Sequence, residues 1–256
     1  MYGWHNLCKI GSESMKRIAF ASGGKDSTAM IDIMLDCCIK VDEIVFIANE
    51  KEFPQEKEFR NFLINRWNHK AKCTVIQRKI KWDDWFYGRI TRGSRKGLKR
   101  GFPTTLYPCW WTREAKVNAI EKYIKYQKVK YNEDVIQYIG YTKDEKSNTR
   151  QDMKWNYYSN KVKQKRFPLI DWGMSESDCY KYCYEEGILN PLYNYFKRLG
   201  CYLCPKQSEE SLRTLKKYFP EQWNELIKYL EDTCKSEFVD PGQFNIKFNL
   251  EDLYYL

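Results

Sequence analysis

The chain has 256 residues, of which 43% are hydrophobic and 16% aromatic, and its formal net charge is +10. This length and composition predict one large domain, or one domain with an appendage, and exclude a globally disordered chain. Because no apolar run approaches the roughly 20 residues of a membrane span and residues 1–15 lack an apolar signal core, we expect a cytoplasmic protein with no membrane partner.

Short apolar strands alternate with amphipathic helices along the first 140 residues. This alternation favours right-handed crossovers and an α/β fold with a mostly parallel, Rossmann-like sheet. The pattern changes after Trp172, so we expect a nucleotide-binding domain over 1–172 and a C-terminal helical region over 173–256 that carries a Cys-x-x-Cys. The predicted strands are 16–21, 43–48, 73–80 and 135–140, and the predicted helices are 28–38, 54–67 (with Phe62 in its apolar stripe), 112–128, 175–186 and 208–233, with 81–108 irregular.

The loop after the first strand reads Ser-Gly-Gly-Lys-Asp-Ser and leads directly into a helix. Two glycines let the backbone approach an anion, and the first amides of the helix point toward it. Lys25 adds a positive charge and the serine hydroxyls add hydrogen bonds, whereas Asp26 either helps to hold Mg²⁺ or caps the helix. The spacing differs from the Walker loop. We therefore predict a phosphate-binding site at Ser22, Gly23, Gly24, Lys25, Asp26 and Ser27.

The loop resembles the PP-loop of the N-type ATP pyrophosphatases, and further motifs resemble the phosphoadenosine phosphosulfate (PAPS) reductase-like branch of that superfamily. The resemblance spans about residues 17–208 and implies an adenine nucleotide α-hydrolase that binds ATP with Mg²⁺. The matching segments are Glu52-Phe53-Pro54, Cys109 to Lys116, Gly140 to Arg150, Pro168 to Trp172, Asn190 to Tyr193 and Arg198 to Pro205. The expected catalytic residues are Lys25, Asp26, Cys109, Asp144, Glu145 and Arg150, and Gly140 joins the loop residues 22–27 in binding the nucleotide.

Departures from the branch bear on the reaction. Thr142 and Lys146 stand where the branch has Arg and Ser, Cys109 has no neighbouring cysteine, and no Glu-Cys-Gly-x-His lies near the C-terminus. These departures disfavour a dedicated sulfate reductase. The intact loop resembles members that cleave ATP itself, among them tRNA thiolases and, closest in motif pattern, the sulfur-inserting subunit of DNA phosphorothioation systems.

Three functions follow as hypotheses from this pattern. The leading one is an ATP-dependent adenylating sulfurtransferase that forms AMP and pyrophosphate. The second is a reductase of PAPS or adenylyl sulfate, with Cys109 or Cys234 as the nucleophile. The third is a non-catalytic subunit that binds a nucleotide or nucleic acid.

The chain has ten cysteines, which in a reducing compartment are thiols, metal ligands or catalytic groups. Cys201 and Cys204 have a spacing typical of metal or redox centres, and Cys109 resembles a site-lining cysteine of the family. We predict that these three ligate one [4Fe–4S] cluster with an open iron at the mouth of the nucleotide site. A redox dithiol and a persulfide carrier are the alternatives.

Basic residues concentrate between positions 78 and 130, where fifteen Lys or Arg stand against four acidic residues. The local net charge of +11 predicts contact with a polyanion such as DNA or tRNA. Trp82, Trp85, Phe86 and Tyr87 precede the basic glycine-rich run, and they suit base stacking, a lid over ATP or an ordinary core. A sulfur-donor protein is a further expected partner of a sulfurtransferase.

Overall fold

The computed structural model describes residues 15–103, 109–132, 134–147, 164–235 and 237–256, and it contains a sheet of five parallel strands in the order β3-β2-β1-β4-β5. The predicted α/β class with a mostly parallel sheet is confirmed. Arg150, a predicted site residue, lies outside the described residues. The strands are β1 Lys16–Ala21, β2 Glu43–Ile47, β3 Lys72–Ile76, β4 Val135–Tyr138 and β5 Lys165–Arg166.

Strand β1 is apolar on both faces because both faces are covered. Ala19 and Ala21 belong to the core cluster that includes the helix following β1, whereas Ile18 and Phe20 pack in a second cluster with Val45. A strand buried on both sides carries a continuous apolar run rather than an alternating one. This is why residues 16–21 are recognisable as a strand from the sequence.

The helices connect the strands and build the C-terminal part of the chain. They are α1 Lys25–Asp36, α2 Pro54–Trp67, α3 Trp82–Phe86, a π-helical turn Thr112–Val117 that continues into α4 Asn118–Tyr131, α5 Lys143–Ser147, α6 Pro168–Asp171, α7 Glu176–Glu185, a 3₁₀ turn Pro191–Asn194, α8 Glu209–Tyr218, α9 Pro220–Thr233 and α10 Leu250–Tyr255.

The strand predicted over 73–80 ends at Ile76, and three further differences from the sequence prediction have a clear structural basis. The helix predicted over 208–233 is two helices, because Phe219 leaves helical geometry (φ −133°, ψ 62°) and Pro220, which has no N–H to donate, starts α9. Phe62, predicted in the apolar stripe of α2, is 44% exposed. The irregular stretch 81–108 includes the short helix α3.

Contacts divide the chain into two compact units. The sheet unit comprises Met1–Ile47, Glu56–Ile76 and Ile120–Asn190, and the aromatic unit comprises Ala48–Gln55, Gln77–Ala119 and Pro191–Leu256. The core of the aromatic unit includes the fully buried rings of Trp82, Phe86 and Trp111. These units cut the chain at other places than residue 172, and the independence of 173–256 stays a prediction. Among the helices of the described residues, none has the length and apolarity that crossing a membrane requires.

Candidate functional site

The phosphate loop, residues 22–27, follows β1, the strand at which the order of the strands in the sheet changes direction. From β1 the chain builds β2 and β3 on one side, whereas β4 pairs with the other edge of β1. Ligands of parallel α/β sheets bind outside the carboxyl ends of the strands at such a switch point. The loop after β1 and the residues after β4 therefore meet where a ligand is expected.

Gly23 and Gly140 are required by the backbone geometry of this region. Gly23 has a φ of +79°, and a Cβ on it would lie 2.7 Å from Glu56 Oε2. A Cβ on Gly140 would lie 2.9 Å from both the backbone N and the Cα of Ser27. Gly140 thus lets the end of β4 pack directly against the first turn of α1, and this packing accounts for the residue.

The two serine hydroxyls hold the loop to itself. Ser22 Oγ lies 3.0 Å from Ser27 Oγ, which also accepts the backbone N–H of Ser22 at 3.1 Å. The Ser27 hydroxyl donates in turn to the carbonyl of Gly24 at 3.1 Å. Ser27 is buried, so its visible role is to brace the loop, while Ser22 is exposed at the loop surface.

Asn190 and Glu56 lie outside the loop and hold it by hydrogen bonds, and neither was predicted to have a role. Asn190, 2% exposed, donates from Nδ2 to the carbonyl of Gly23 at 3.1 Å and to Glu56 Oε2 at 3.3 Å. Asn190 opens a segment that matched the family pattern, which was the available signal. Glu56 offered none, because its role depends on contacts made only in the folded chain.

The first turn of α1 differs from that of α7. At α7, Ser175 accepts the N–H of Asp178 and the Asp178 side chain accepts the N–H of Ser175, a complete capping box. At α1, the N-cap residue is Gly24, which has no side chain that could cap the helix. The start of α1 therefore lies next to the glycine turn without the capping side chain that Ser175 provides at α7.

Lys25 contacts carboxylate oxygens. Its Nζ lies 2.8 Å from Glu176 Oε2 and 3.3 Å from Asp26 Oδ1, and its side chain is only 12% exposed. Carboxylate oxygens resemble phosphate oxygens in charge and as acceptors. Glu176 was not predicted as a site residue, because an acidic residue at the start of a helix does not indicate a contact with a lysine 151 positions away in the chain.

Asp26 has a carboxylate that is largely buried beside Lys25. Burial raises the pKa of Asp26 above its ordinary value, although the neighbouring Lys25 acts to lower it. Oδ1 of Asp26 is buried and forms an ion pair with Lys25 at 3.3 Å, but among the described residues it accepts no hydrogen bond of good geometry. An oxygen of this kind fits the ligand chemistry of Mg²⁺, which binds through one or two carboxylates and the phosphates of its nucleotide.

Asp144 and Glu145 follow β4 in α5. Asp144 Oδ2 accepts the backbone N–H of Glu176 at 2.7 Å, which connects α5 to the residue that contacts Lys25. The backbone N–H of Glu145 bonds to the carbonyl of Thr142 at 3.2 Å. Within the described ranges, no three or more His, Cys, Asp or Glu side chains are grouped to hold a metal ion.

Buried thiols lie behind the loop. Cys183 Sγ donates to the carbonyl of Lys25 at 3.3 Å, and Cys179, also fully buried, interacts with Asp26. Burial raises the pKa of Cys183 to about 12 and that of Cys179 further, so both stay protonated thiols at neutral pH. They pack beneath the loop as small apolar groups.

The aromatic unit contains the Cys-x-x-Cys. The thiols of Cys201 and Cys204 hydrogen-bond to each other, and the backbone N–H of Cys204 donates to the carbonyl of Cys201 at 3.1 Å. The hydrogen bond from Cys201 lowers the pKa of Cys204, whereas the same bond and burial raise the pKa of Cys201. The pair is therefore set up with Cys204 as the thiolate and Cys201 as the donor.

Cys109 lies in the same unit. Its Sγ accepts the backbone N–H of Thr112 at 3.4 Å, and its charge, like that of Lys116 in the π-helical turn, is close enough to influence the pKa of Cys201. The structure thus brings the three predicted ligands into one region but does not gather them into a metal-binding group among the described residues.

The sequence matches a known family over most of its length. The model of the phosphoadenosine phosphosulfate reductase domain matches residues 17–207. Two uncharacterized proteins of Methanocaldococcus jannaschii are each 26% identical to this chain. MJ0973 matches over 231 residues, which cover 89% of this chain and 50% of the relative, and MJ0066 over 235 residues, which cover 88% and 43%. The chain therefore spans about half the length of the curated relatives it matches.

Two solved structures are similar at low identity. The U34-tRNA thiolase NcsA from Methanococcus maripaludis, solved with its [4Fe–4S] cluster, is 14% identical with a TM-score of 0.40, and the match covers 85% of this chain and 71% of NcsA. The PAPS reductase from Candida auris, solved as a phosphate complex, is 12% identical with a TM-score of 0.42, and the match covers 73% of this chain and 81% of the reductase.

Proposed function

Since this chain belongs to the phosphoadenosine phosphosulfate reductase domain family, we propose that it is an ATP-dependent adenylating sulfurtransferase that forms AMP and pyrophosphate. The observation that carries the proposal is the phosphate loop. Its glycine turn, its near-buried lysine and its place between β1 and the first turn of α1 support an anion site at the switch point of the sheet.

The proposed reaction has two steps. An oxygen of the acceptor attacks the α-phosphorus of ATP and forms a new P–O bond, while the bond from the α-phosphorus to the bridging oxygen breaks and pyrophosphate leaves with that oxygen. A sulfide sulfur then attacks the acceptor atom that carries the adenylate, and AMP leaves with the acceptor oxygen. If the donor is a persulfide, the resulting acceptor–S–S–donor bond is cleaved by a second thiol of the donor protein, which becomes a disulfide with the first. Lys25 and the loop amides stabilise the charge that develops on the departing pyrophosphate. Mg²⁺, when bound at Asp26 and the phosphates, would neutralise part of that charge.

The thiols supply the second half of the proposal. Metal ligation requires thiolates, and the lowered pKa of Cys204 favours that form, whereas Cys201, whose pKa is raised, would lose its proton when the metal binds. We propose Cys201, Cys204 and Cys109 as the ligands of a [4Fe–4S] cluster, which would supply an open iron for sulfur. Cys109 Sγ accepts the backbone N–H of Thr112, and a hydrogen bond of this kind can persist when the sulfur is a cluster ligand.

Purification without oxygen tests the cluster directly. The protein should be brown, with broad absorbance near ~400 nm, and should contain iron and sulfide. Serine at Cys109, Cys201 or Cys204 should bleach it, whereas serine at the exposed Cys234 should not. Colourless protein with two reactive thiols at 201 and 204 would reject the cluster in favour of a redox dithiol.

We further propose a nucleic acid as the sulfur acceptor, because the +11 segment 78–130 favours a polyanionic substrate. A sulfur-donor protein would supply the sulfide or persulfide.

Product analysis with α-labelled ATP tests the reaction. Labelled AMP together with pyrophosphate supports cleavage at the α-phosphorus, whereas labelled ADP with phosphate rejects it. The family to which the chain belongs makes PAPS reduction the second candidate. Release of sulfite from PAPS or adenylyl sulfate, with thioredoxin as the electron donor, would favour that reductase over the sulfurtransferase.

A further inference from the structure

Residues 88–101 form a protruding hairpin within the aromatic unit, called the basic arm below. The backbone N–H of Ile90 donates to the carbonyl of Leu98 at 2.8 Å, and the N–H of Gly97 donates to the carbonyl of Ile90 at 2.9 Å. Gly93 and Gly97 have φ values of +82° and +92°, which other residues rarely adopt, and they let the chain reverse. Residues 91–97 are all exposed.

The base of the arm is anchored by an acidic residue. Glu237 Oε1 lies 2.5 Å from Lys99 Nζ, and Glu237 Oε2 lies 3.4 Å from Arg89 Nη2. The backbone continues this anchor, because the N–H of Lys99 donates to the carbonyl of Glu237 and the N–H of Val239 to the carbonyl of Lys99. The two cations at the base thus share one carboxylate of the protein.

The cations at the tip are not neutralised in this way. Arg92, Arg95 and Lys96 are exposed, and in the part of the chain that the structure describes none of them forms an ion pair. Three neighbouring cations repel one another, and folding gains nothing from them. A polyanion that binds the tip would supply the missing countercharge.

Planar groups lie beside the base of the arm. Trp85 stacks on Trp110 with ring centroids 6.2 Å apart and an interplanar angle of 17°, and the Arg100 guanidinium lies 4.9 Å from the centroid of Trp85. Trp85, Trp110 and Arg100 are half-buried, so part of this stack is accessible. Trp82 and Phe86, in contrast, are fully buried core residues and cannot stack on a ligand.

We propose that the basic arm is a docking surface for single-stranded nucleic acid, with the tip cations on the phosphates and a base stacked on the Trp85–Arg100 group. Cations beside accessible planar groups are the combination by which proteins hold single strands. The proposal rests on the proposed function for one point, which is that the bound nucleic acid is the sulfur acceptor. Binding itself needs no ATP, so the two can fail separately.

Fluorescence anisotropy with labelled single-stranded DNA and RNA, at several salt concentrations and without nucleotide, tests the arm. Replacing Arg92, Arg95 and Lys96 by Gln should weaken binding and lower the salt slope by roughly 2, since each phosphate contact on a single strand contributes about 0.7. A control variant with Lys57, Lys228 and Lys247 replaced by Gln loses the same charge at exposed positions outside 78–130 and should keep the slope.

Arg100→Lys separates stacking from charge. It should weaken binding of the oligonucleotides by roughly fivefold or more while leaving inorganic polyphosphate binding unchanged, because polyphosphate has no base to stack. Comparison of the titrations with DNA and with RNA shows which of the two nucleic acids binds tighter. Equal slopes for the two triple variants, or equal effects of Arg100→Lys on oligonucleotide and polyphosphate, would overturn the proposal. If the protein forms AMP normally but binds no single strand, the basic arm is not a docking surface and the proposed function stands.

Discussion

The phosphate loop and the Cys-x-x-Cys carry the proposed chemistry, and they are held in different ways. In the phosphate loop, Ser27 bonds back to Ser22 and Gly24, and Asn190 holds Gly23 from a distant part of the chain. In the cysteine pair, the thiols of Cys201 and Cys204 bond to each other, and Cys204 also accepts the backbone N–H of Lys206.

This difference separates a preformed site from an adaptable one. The loop geometry is fixed by hydrogen bonds from Ser22, Ser27 and Asn190, so an anion meets a glycine turn and a lysine that are already in place. The cysteine pair can exchange its mutual hydrogen bond for a bond to sulfur or iron, while the backbone N–H of Lys206 continues to hold Cys204. Four substitutions test this contrast.

Lys25→Ala should abolish most nucleotide turnover without unfolding the protein. Removing one charged contact to a developing phosphate charge costs roughly 2–4 kcal/mol, or on the order of 30- to 1,000-fold in rate. The rate of AMP formation and a thermal melt measure the two quantities. Lys181→Ala, at an exposed position that pairs with Glu185, is the control and should keep the rate. Full activity of a folded Lys25→Ala protein would reject the site.

Gly140→Ala should disturb the preformed loop through packing. The added methyl group would lie 2.9 Å from backbone atoms of Ser27, so the end of β4 or the start of α1 must move. We expect a loss of about 1–3 kcal/mol in unfolding free energy, read from denaturant titration, and weaker pyrophosphate binding. Gly200→Ala is matched, since no described atom lies within 4 Å of its added methyl group. Equal stability of the two variants would show that the contact is not tight.

Cys204 should react as a thiolate at lower pH than an ordinary cysteine. Because the hydrogen bond from Cys201 lowers the pKa of Cys204, the thiolate persists as the pH falls below about 8.5, the value of a free thiol. The pH dependence of alkylation, with peptide mapping, measures this midpoint in the folded and the denatured protein. Cys201→Ala removes the donor and should move the midpoint upward. An unchanged midpoint would mean that the pair does not act as a unit.

Glu176→Gln should strengthen pyrophosphate binding slightly. The carboxylate of Glu176 occupies Lys25 and repels an incoming anion, but it is 56% exposed, so the gain should be roughly twofold to fivefold by calorimetry. Glu185→Gln, on the same helix and 59% exposed, should have no effect. Weaker binding by Glu176→Gln would make Glu176 part of the site rather than a competitor of the ligand.

Local patterns predicted the elements that carry the loop. Residues 16–21 are recognisable as a strand because both faces are buried, and α2 has the predicted bounds 54–67. The prediction of a single helix over 208–233 was wrong. The apolar periodicity continues across Phe219, but the backbone of Phe219 is not helical. Periodicity also placed Phe62 on the buried stripe, although the helix turns it to solvent.

The contacts that clamp the site could not be predicted in this way. Asn190 meets Gly23 across 167 positions of the chain, and Lys25 meets Glu176 across 151. Such pairs depend on how α1, α2 and α7 pack, and periodicity does not report packing partners. The motifs did identify the loop and the cysteines, since glycine pairs and two-residue cysteine spacings have local physical reasons.

Hydrolysis of ATP in ¹⁸O-labelled water tests the central claim, attack at the α-phosphorus, most directly. In the absence of an acceptor, water takes its place at the loop, and mass spectrometry shows which product gains the heavy oxygen. Attack at the α-phosphorus puts the label in AMP and leaves pyrophosphate unlabelled, and we expect Lys25→Ala to form neither product. Label in inorganic phosphate, with ADP as the other product, would contradict it.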